Sequence, residues 1–287
     1  KYYNNNYYIV PLYLLKRDMH YELSRPEGSY FRWEKIESRL KLLDKTHFTL
    51  ESNIIRRGNC IKYRDKKFLK INHDLFKCLK MLLKYIKDNK NPIIDNYALK
   101  FINKIEDKNC CKLNNYANNI IILSKNYNKN CKDIVKIIKK SINRKKYDII
   151  ILKKNLEYEN IDILKDRFRI VIHDKKENKR FSLISIIKVK ADCFSTQQIN
   201  GYTIGTIDTI LCFLYSYYLT YLFTKYRNYR HNSVLQDTQE YIDIYEKILK
   251  KINVSNRYKV ECFGKELSKD DIYKKNWNKS RLTLVKI

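Results

Sequence analysis

The sequence predicts an α/β fold in which a mixed sheet is flanked by helices and one helix, at about 206–224, is buried at the centre. Helical and strand-like apolar periods alternate along much of the chain. Four segments, at about 119–124, 147–152, 168–173 and 182–189, are rich in Ile, Leu and Val and have the length of strands. The longest apolar run has the length of a helix and is apolar on nearly every side.

That run follows Gly201 and Gly205, two of only 5 glycines, which are expected to supply a tight turn with positive φ. Thr206 is placed to cap the free N–H groups of the first turn, and Asp208 lies where the helix dipole favours an anion. Ile207, Ile210, Leu211, Phe213, Leu214, Tyr217, Tyr218, Tyr221 and Leu222 then surround the helix. Crossing a bilayer takes about 20 apolar residues. Here Asp208 bounds the run on one side and Lys225 and Arg227 on the other, with Thr209, Ser216 and Thr220 inside it, so the expectation is a core helix and no membrane partner.

The chain has 287 residues, 44% of them hydrophobic, enough for a sizeable core. Sixty Lys and Arg against 31 Asp and Glu give a net charge of +29, which attracts polyanions at long range. An AT-rich coding sequence enriches the same Lys, Asn, Ile and Tyr, so position rather than total charge must identify a binding face. The 8 cysteines include no C-x-x-C pair and have no histidine at ligand spacing, which argues against zinc and for reduced thiols rather than a disulfide framework. The chain opens on Lys1 with no initiator methionine and is expected to be a later portion of a longer polypeptide.

Residues 1–10 are a low-complexity Asn/Tyr run. A helix is expected from Pro11 to a point before Pro26, with Gly28 in the turn that follows. The next helix sets Trp33, Ile36, Leu40 and Leu43 on one face and Arg32, Lys35 and Arg39 on another. A loop or small hairpin is expected over 56–70, then a helix over 73–87, a short strand turning into a helix over 92–102, and a strand over 119–124. A helix over 133–142 and a buried strand over 147–152 follow. Residues 168–173 and 180–189 read as a hairpin with a polar turn at 174–178. A short element at 198–204 leads into the central helix, a helix capped by Asp237 runs to Ile252, and the basic tail from Lys259 is poorly periodic.

The common phosphate-loop, dinucleotide and hydrolase-elbow motifs are absent. His173, at a strand end before Asp174, reads as structural rather than as a general base. Two-metal chemistry needs two or three carboxylates converging on adjacent strands. Glu159 and Asp162, with Asp148 and Asp192 on neighbouring elements, are the nearest candidates, but they form no i, i+2 pair beside a Gly-Ser turn, so no metal site is assigned.

Several motifs, in order, resemble the poly(A) polymerase catalytic subunit family of large cytoplasmic DNA viruses of the mimivirus and asfarvirus kind. They are Pro11-Leu12-Tyr13-Leu14-Leu15 with Asp18-Met19 and Tyr21, then Phe31-Arg32-Trp33-Glu34-Lys35 with Arg39, then Ile93-Ile94-Asp95-Asn96-Tyr97-Ala98. Gly201-Tyr202-Thr203-Ile204-Gly205-Thr206-Ile207-Asp208 and Glu261-Cys262-Phe263-Gly264 complete the set. The resemblance implies that residues 1–57 close a catalytic nucleotidyltransferase domain and that 58–287 form a second, non-catalytic nucleotidyltransferase-like domain. Asp95 stands where the family usually has glycine and would repel a phosphate, which marks this half as structural.

On this resemblance the whole protein is expected to add AMP from ATP to mRNA 3′ ends with Mg²⁺ or Mn²⁺. Its catalytic carboxylates would lie upstream of Lys1, and Arg32, Lys35 and Arg39 would bind RNA. The resemblance also implies action in the host cytoplasm at a viral factory and allows a homodimer and packaging in the virion. The alternative is a non-catalytic basic RNA-binding or processivity subunit; a third reading, a membrane-surface protein, draws only on the charge and the aromatic helix.

Overall fold

The computed structural model describes residues 3–4, 7–8, 10–25, 32–45, 73–102, 119–155, 166–189, 193–223, 229–251 and 260–264. The element order is β1 (Tyr3–Asn4), β2 (Tyr7–Tyr8), α1 (Leu12–Leu23), α2 (Trp33–Lys45), α3 (His73–Asp88), a 3-10 turn (Asn96–Ala98) with α4 (Leu99–Ile102), β3 (Ile120–Ser124) and α5 (Tyr127–Ser141). Then come β4 (Tyr147–Asn155), β5 (Asp166–Asp174), β6 (Lys179–Lys188), β7 (Phe194–Ile199), β8 (Tyr202–Gly205), α6 (Ile207–Phe223), α7 (Tyr229–Lys251) and β9 (Glu261–Phe263). The expected mixed α/β architecture is present. The loop at 56–70, the turn at Gly28 and the boundary near residue 57 lie outside the described residues.

Four strands pair in the order β3-β6-β5-β4, with β3 parallel to β6 and the other pairs antiparallel. A second group pairs as β8-β7-β9, all antiparallel. Ile93 joins the two groups, bridging Ile122 of β3 on one side and Ile204 of β8 on the other. Four backbone bonds make this seam: Ile93 N–H to Thr203 O at 3.0 Å, Gly205 N–H to Ile93 O at 2.9 Å, Ile94 N–H to Ile121 O at 3.0 Å and Leu123 N–H to Pro92 O at 2.9 Å.

Consecutive residues of a strand point to opposite faces. Tyr127 of α5 stacks on Phe168 at 4.2 Å between ring centroids, while the Arg167 guanidinium lies 5.2 Å from the Tyr217 ring of α6. α5 and α6 therefore cover opposite faces. α3 packs beside α5, since the Tyr85 hydroxyl donates to Asn130 Oδ1 at 3.0 Å. The expected covering of the sheet by the helices at 73–87 and 206–224 is met, one on each face, and α1 and α7 pack on α6.

α6 is buried all round: from Ile207 to Thr220 only Tyr218 is partly exposed. Thr206 caps it as expected, its Oγ1 accepting from Thr209 N–H at 3.3 Å. Asp208 faces His20 of α1, carboxylate Oδ1 to imidazole Nδ1 at 3.0 Å, both buried. Among the described residues no helix is long and apolar enough to cross a membrane.

Several expectations are corrected. Residues 194–205 form a hairpin rather than one short element. Its two-residue turn has positive φ at Asn200 (53°) and Gly201 (77°), the pairing that matches strand twist. Gly205 does not need positive φ: it ends β8, where an added Cβ would come 3.0 Å from Ile94 Cγ2 and 3.3 Å from Thr209 Cγ2. The strand at 147–152 is not buried. It is an edge strand extending to Asn155 that leaves Ile151 and Leu152 each 46% exposed, because among the described strands β4 has only β5 as a neighbour. The helix expected from Asp133 begins at Tyr127, since Tyr127, Asn130 and Cys131 already face the core. The helix expected from Asp237 begins at Tyr229. The poorly periodic tail contributes β9, whose main chain completes a sheet edge whatever its side-chain pattern. Cys193 and Cys262 are joined as a disulfide between the β7 and β9 regions, contrary to the expectation of thiols alone, whereas Cys78, Cys131 and Cys212 are buried thiols outside any disulfide.

Two stability measurements test this packing. Leu214→Ala removes a side chain that is 6% exposed and is expected to cost about 2–5 kcal/mol in denaturant unfolding. Gly205→Ala is expected to cost about 1–3 kcal/mol, the usual range for overpacking, and an unchanged unfolding midpoint would show that Ile94 and Thr209 yield freely.

Candidate functional site

α2 and the residue that leads into it carry the basic residues singled out from sequence. At about 100° per residue, Arg32, Lys35 and Arg39 fall within an arc of about 60°. All three are exposed, and among the described residues none forms an ion pair or hydrogen bond. Glu37 pairs with Lys41 at 3.1 Å instead. The adjoining side of the helix is anchored: Trp33, Ile36 and Leu40 are buried with Leu23 of α1, and Trp33 Nε1–H donates to Glu22 O at 3.1 Å. The expected division into apolar anchor and basic face is present, with Leu43 half-buried at its margin.

Below this helix lies a polar junction that periodicity did not reveal. Lys16 Nζ meets Asp44 Oδ1 at 2.7 Å and Glu246 Oε1 at 2.8 Å, and the Tyr215 hydroxyl also donates to Glu246 Oε1. Four helices, α1, α2, α6 and α7, are thereby tied together. Burial works against the Lys16 charge, but Glu246 and Asp44 more than offset it and leave the pKa raised. Burial and then Glu246 drive the Tyr215 phenol well above its ordinary range, and burial drives Asp243 up. The only sequence signal was a lysine on the inner side of α1, a position that demands an acidic partner.

Of the candidate acids only Asp148 lies among the described residues. Asp148 is exposed on β4, pairs with Lys175 at 3.0 Å and sits in register with His173. Glu159, Asp162 and Asp192 lie outside the described residues. His173 Nε2 bonds Asn178 Oδ1 at 3.0 Å across the hairpin turn. Among the described residues no three His, Cys, Asp or Glu converge on a common point. Mg²⁺ or Mn²⁺ therefore does not fit the residues described. Asp95 is buried and holds backbone: its Oδ1 accepts from Tyr97 N–H at 3.0 Å and its Oδ2 from Ile121 N–H at 2.9 Å. Its carbonyl accepts from the Tyr245 hydroxyl of α7 at 2.8 Å.

With this architecture in hand, solved structures provide a match. The chain is similar in fold to the Megavirus polyadenylate synthase. The likeness to that crystal structure has a TM-score of 0.57 at 11% identity and covers 95% of this chain and 54% of the other. This chain thus spans about half the length of the solved structure it matches. No protein-family profile matches the sequence, and no curated protein matches it. The poly(A) polymerase-like fold implied by the motif resemblance is present at the level of architecture.

Breaking the junction tests its role. Lys16→Met leaves Glu246 and Asp44 facing each other and is expected to cost about 2–3 kcal/mol, below the range for a fully buried pair because both acids retain some solvent exposure. The raised Lys16 pKa makes its contribution complete below the ordinary lysine value of 10.5 and lost as pH rises beyond it. The buried, neutral Tyr215 adds the same sign, because the unfolded phenol ionises first. The melting temperature should therefore fall with rising pH above about 10, and a Lys16→Met protein should fall less steeply.

Proposed function

We propose that this chain is a portion of a viral-type polynucleotide adenylyltransferase, an enzyme that adds AMP from ATP to mRNA 3′ ends, and that its own part is to hold RNA. The likeness in fold to the Megavirus polyadenylate synthase, over 95% of this chain, carries the reading. The net charge of +29 supports a polyanionic partner, and the exposed Arg32, Lys35 and Arg39 provide cations free to reach phosphates. In this reading 1–57 joins the catalytic half to the second, non-catalytic domain at 58–287, with α1 seated on α6. The catalytic carboxylates, and with them Mg²⁺ or Mn²⁺ and ATP, belong to the part of the enzyme that this chain does not span. Action in the host cytoplasm belongs to the same proposal.

The 1–287 chain should bind single-stranded RNA with an affinity that falls steeply as salt rises, and should incorporate no AMP into an RNA primer. Incorporation with Mg²⁺ or Mn²⁺ would overturn the placement of the carboxylates and turn attention to Asp148, Glu159, Asp162 and Asp192. Replacing Arg32, Lys35 and Arg39 together by Gln should lower the salt slope of binding by about 2, three contacts at about 0.7 each, without shifting the melting temperature. An unchanged slope with a lowered melting temperature would mean that these residues hold the fold rather than RNA.

A further inference from the structure

The outer layer formed by α3 and α5 carries a second concentration of positive charge. On α3, Lys77, Lys80 and Lys84 recur three and four residues apart; on α5, Lys129, Lys132 and Lys136 do the same. All six are exposed. The opposite sides of the same helices, Leu75, Cys78, Leu82 and Ile86 on α3 and Tyr127, Cys131, Ile134 and Ile138 on α5, are buried in the core. Both lysine rows thus point away from the sheet.

The two helices run antiparallel. Tyr85 meets Asn130 and Asp133, whereas Met81, one turn earlier, meets Ser141, its Sδ accepting from the hydroxyl at 3.2 Å. At the usual interaxial distance of about 8–10 Å the rows lie side by side, with a lysine every 5 Å or so along each. The described acids nearby are few. Asp133 accepts from Tyr85 and approaches Lys136 Nζ only at 3.9 Å, leaving the Lys136 side chain 74% exposed, and Asp88 lies at the end of α3.

We infer that the paired lysine rows of α3 and α5 form a second track for single-stranded RNA, on the opposite face of the sheet from α6. The inference rests on the reading that the chain binds RNA and adds where. Two parallel rows of cations suit a phosphodiester chain laid along the helix–helix seam, where each phosphate can be reached from either side. Phe76, 46% exposed beside this track with Lys80 Nζ 4.5 Å from its ring centroid, supplies a flat surface on which a base can stack. A bilayer is the poorer fit. Surface-lying helices insert an apolar face among the lipids, and the apolar faces of α3 and α5 are already occupied by the core.

Three variants that each remove three charges decide the matter: K77Q/K80Q/K84Q, K129Q/K132Q/K136Q, and a control on exposed lysines outside both rows, K145Q/K153Q/K176Q. Binding of a fluorescent oligoadenylate to the full 287-residue chain is followed across salt, with melting temperature as the check on folding and phosphatidylserine vesicles as the competing surface. Each track variant should lower the salt slope by about 2 and the two combined by about 4, at about 0.7 per contact, while the control leaves it unchanged. The inference is overturned if both folded track variants keep the slope, if the control lowers it equally, or if the track variants lose vesicle binding with the RNA slope intact. An unmutated chain that binds no oligoadenylate overturns the functional proposal as well. A kept slope in the track variants beside a lowered one in the Arg32/Lys35/Arg39 variant overturns this inference alone. If one triple variant does not fold, the other carries the test, since each row predicts its own change.

Discussion

The architecture depends on three residues of main chain. Pro92, Ile93 and Ile94 form a seam that donates and accepts on both sides, to β3 through Ile121 and Leu123 and to β8 through Thr203 and Gly205. Without it the four-stranded and three-stranded groups would each present an open edge, with backbone groups buried and unpaired. The seam leaves little room where it meets the central helix, which favours glycine at the end of β8 beneath Ile94 and Thr209. Asp95 then locks the end of the seam, its carboxylate fixing two backbone N–H groups and its carbonyl receiving the hydroxyl of Tyr245. A carboxylate so occupied acts as a structural clamp.

Around this sheet the charges are sorted by layer. On the α6 side several polar side chains turn inward and meet one another, Lys16 with Asp44 and Glu246 and His20 with Asp208, while Lys35 and Arg39 of α2 face water. These contacts hold α1 and α2 against a helix whose own surface is almost wholly apolar, and orient the exposed side of α2. On the α3/α5 side the lysines turn outward. A chain with 60 basic residues can spread them anywhere; confining apolar contact to one side of each outer helix leaves rows at helical spacing on the other.

This sorting bears on function because architecture alone does not assign one. The likeness to the Megavirus polyadenylate synthase holds at 11% identity, so it speaks for a shared fold and for few shared side chains. What this chain adds are cations whose placement can be tested. Arg32, Lys35 and Arg39 stand on a helix anchored by Trp33, whereas the lysine rows stand on helices anchored directly in the main core. A polyanion bound at either place would meet a preformed surface, which limits the ordering cost of binding.

Much of the fold was written in local pattern. The apolar period around 207–220 is legible because a helix surrounded by protein must be apolar on every side, and Thr206 and Asp208 mark its start by capping chemistry that needs only neighbouring residues. The basic side of α2 is legible for the same reason: three- and four-residue spacing sets side chains together within one helix. Other features depended on partners distant in sequence. Ile151 and Leu152 read as buried, yet whether a strand lies inside a sheet or at its edge is decided by its neighbours, and among the described strands β4 has one. Lys16 finds Glu246 across 230 residues, and the rows of α3 and α5 become one surface only because the two helices pack antiparallel on the same face. Sequence determined the period of each element and the side of each helix that seeks the core. Tertiary structure alone decided which strands are edges, which charges are neutralised and which remain facing water, because those outcomes depend on long-range contacts that no local spacing encodes.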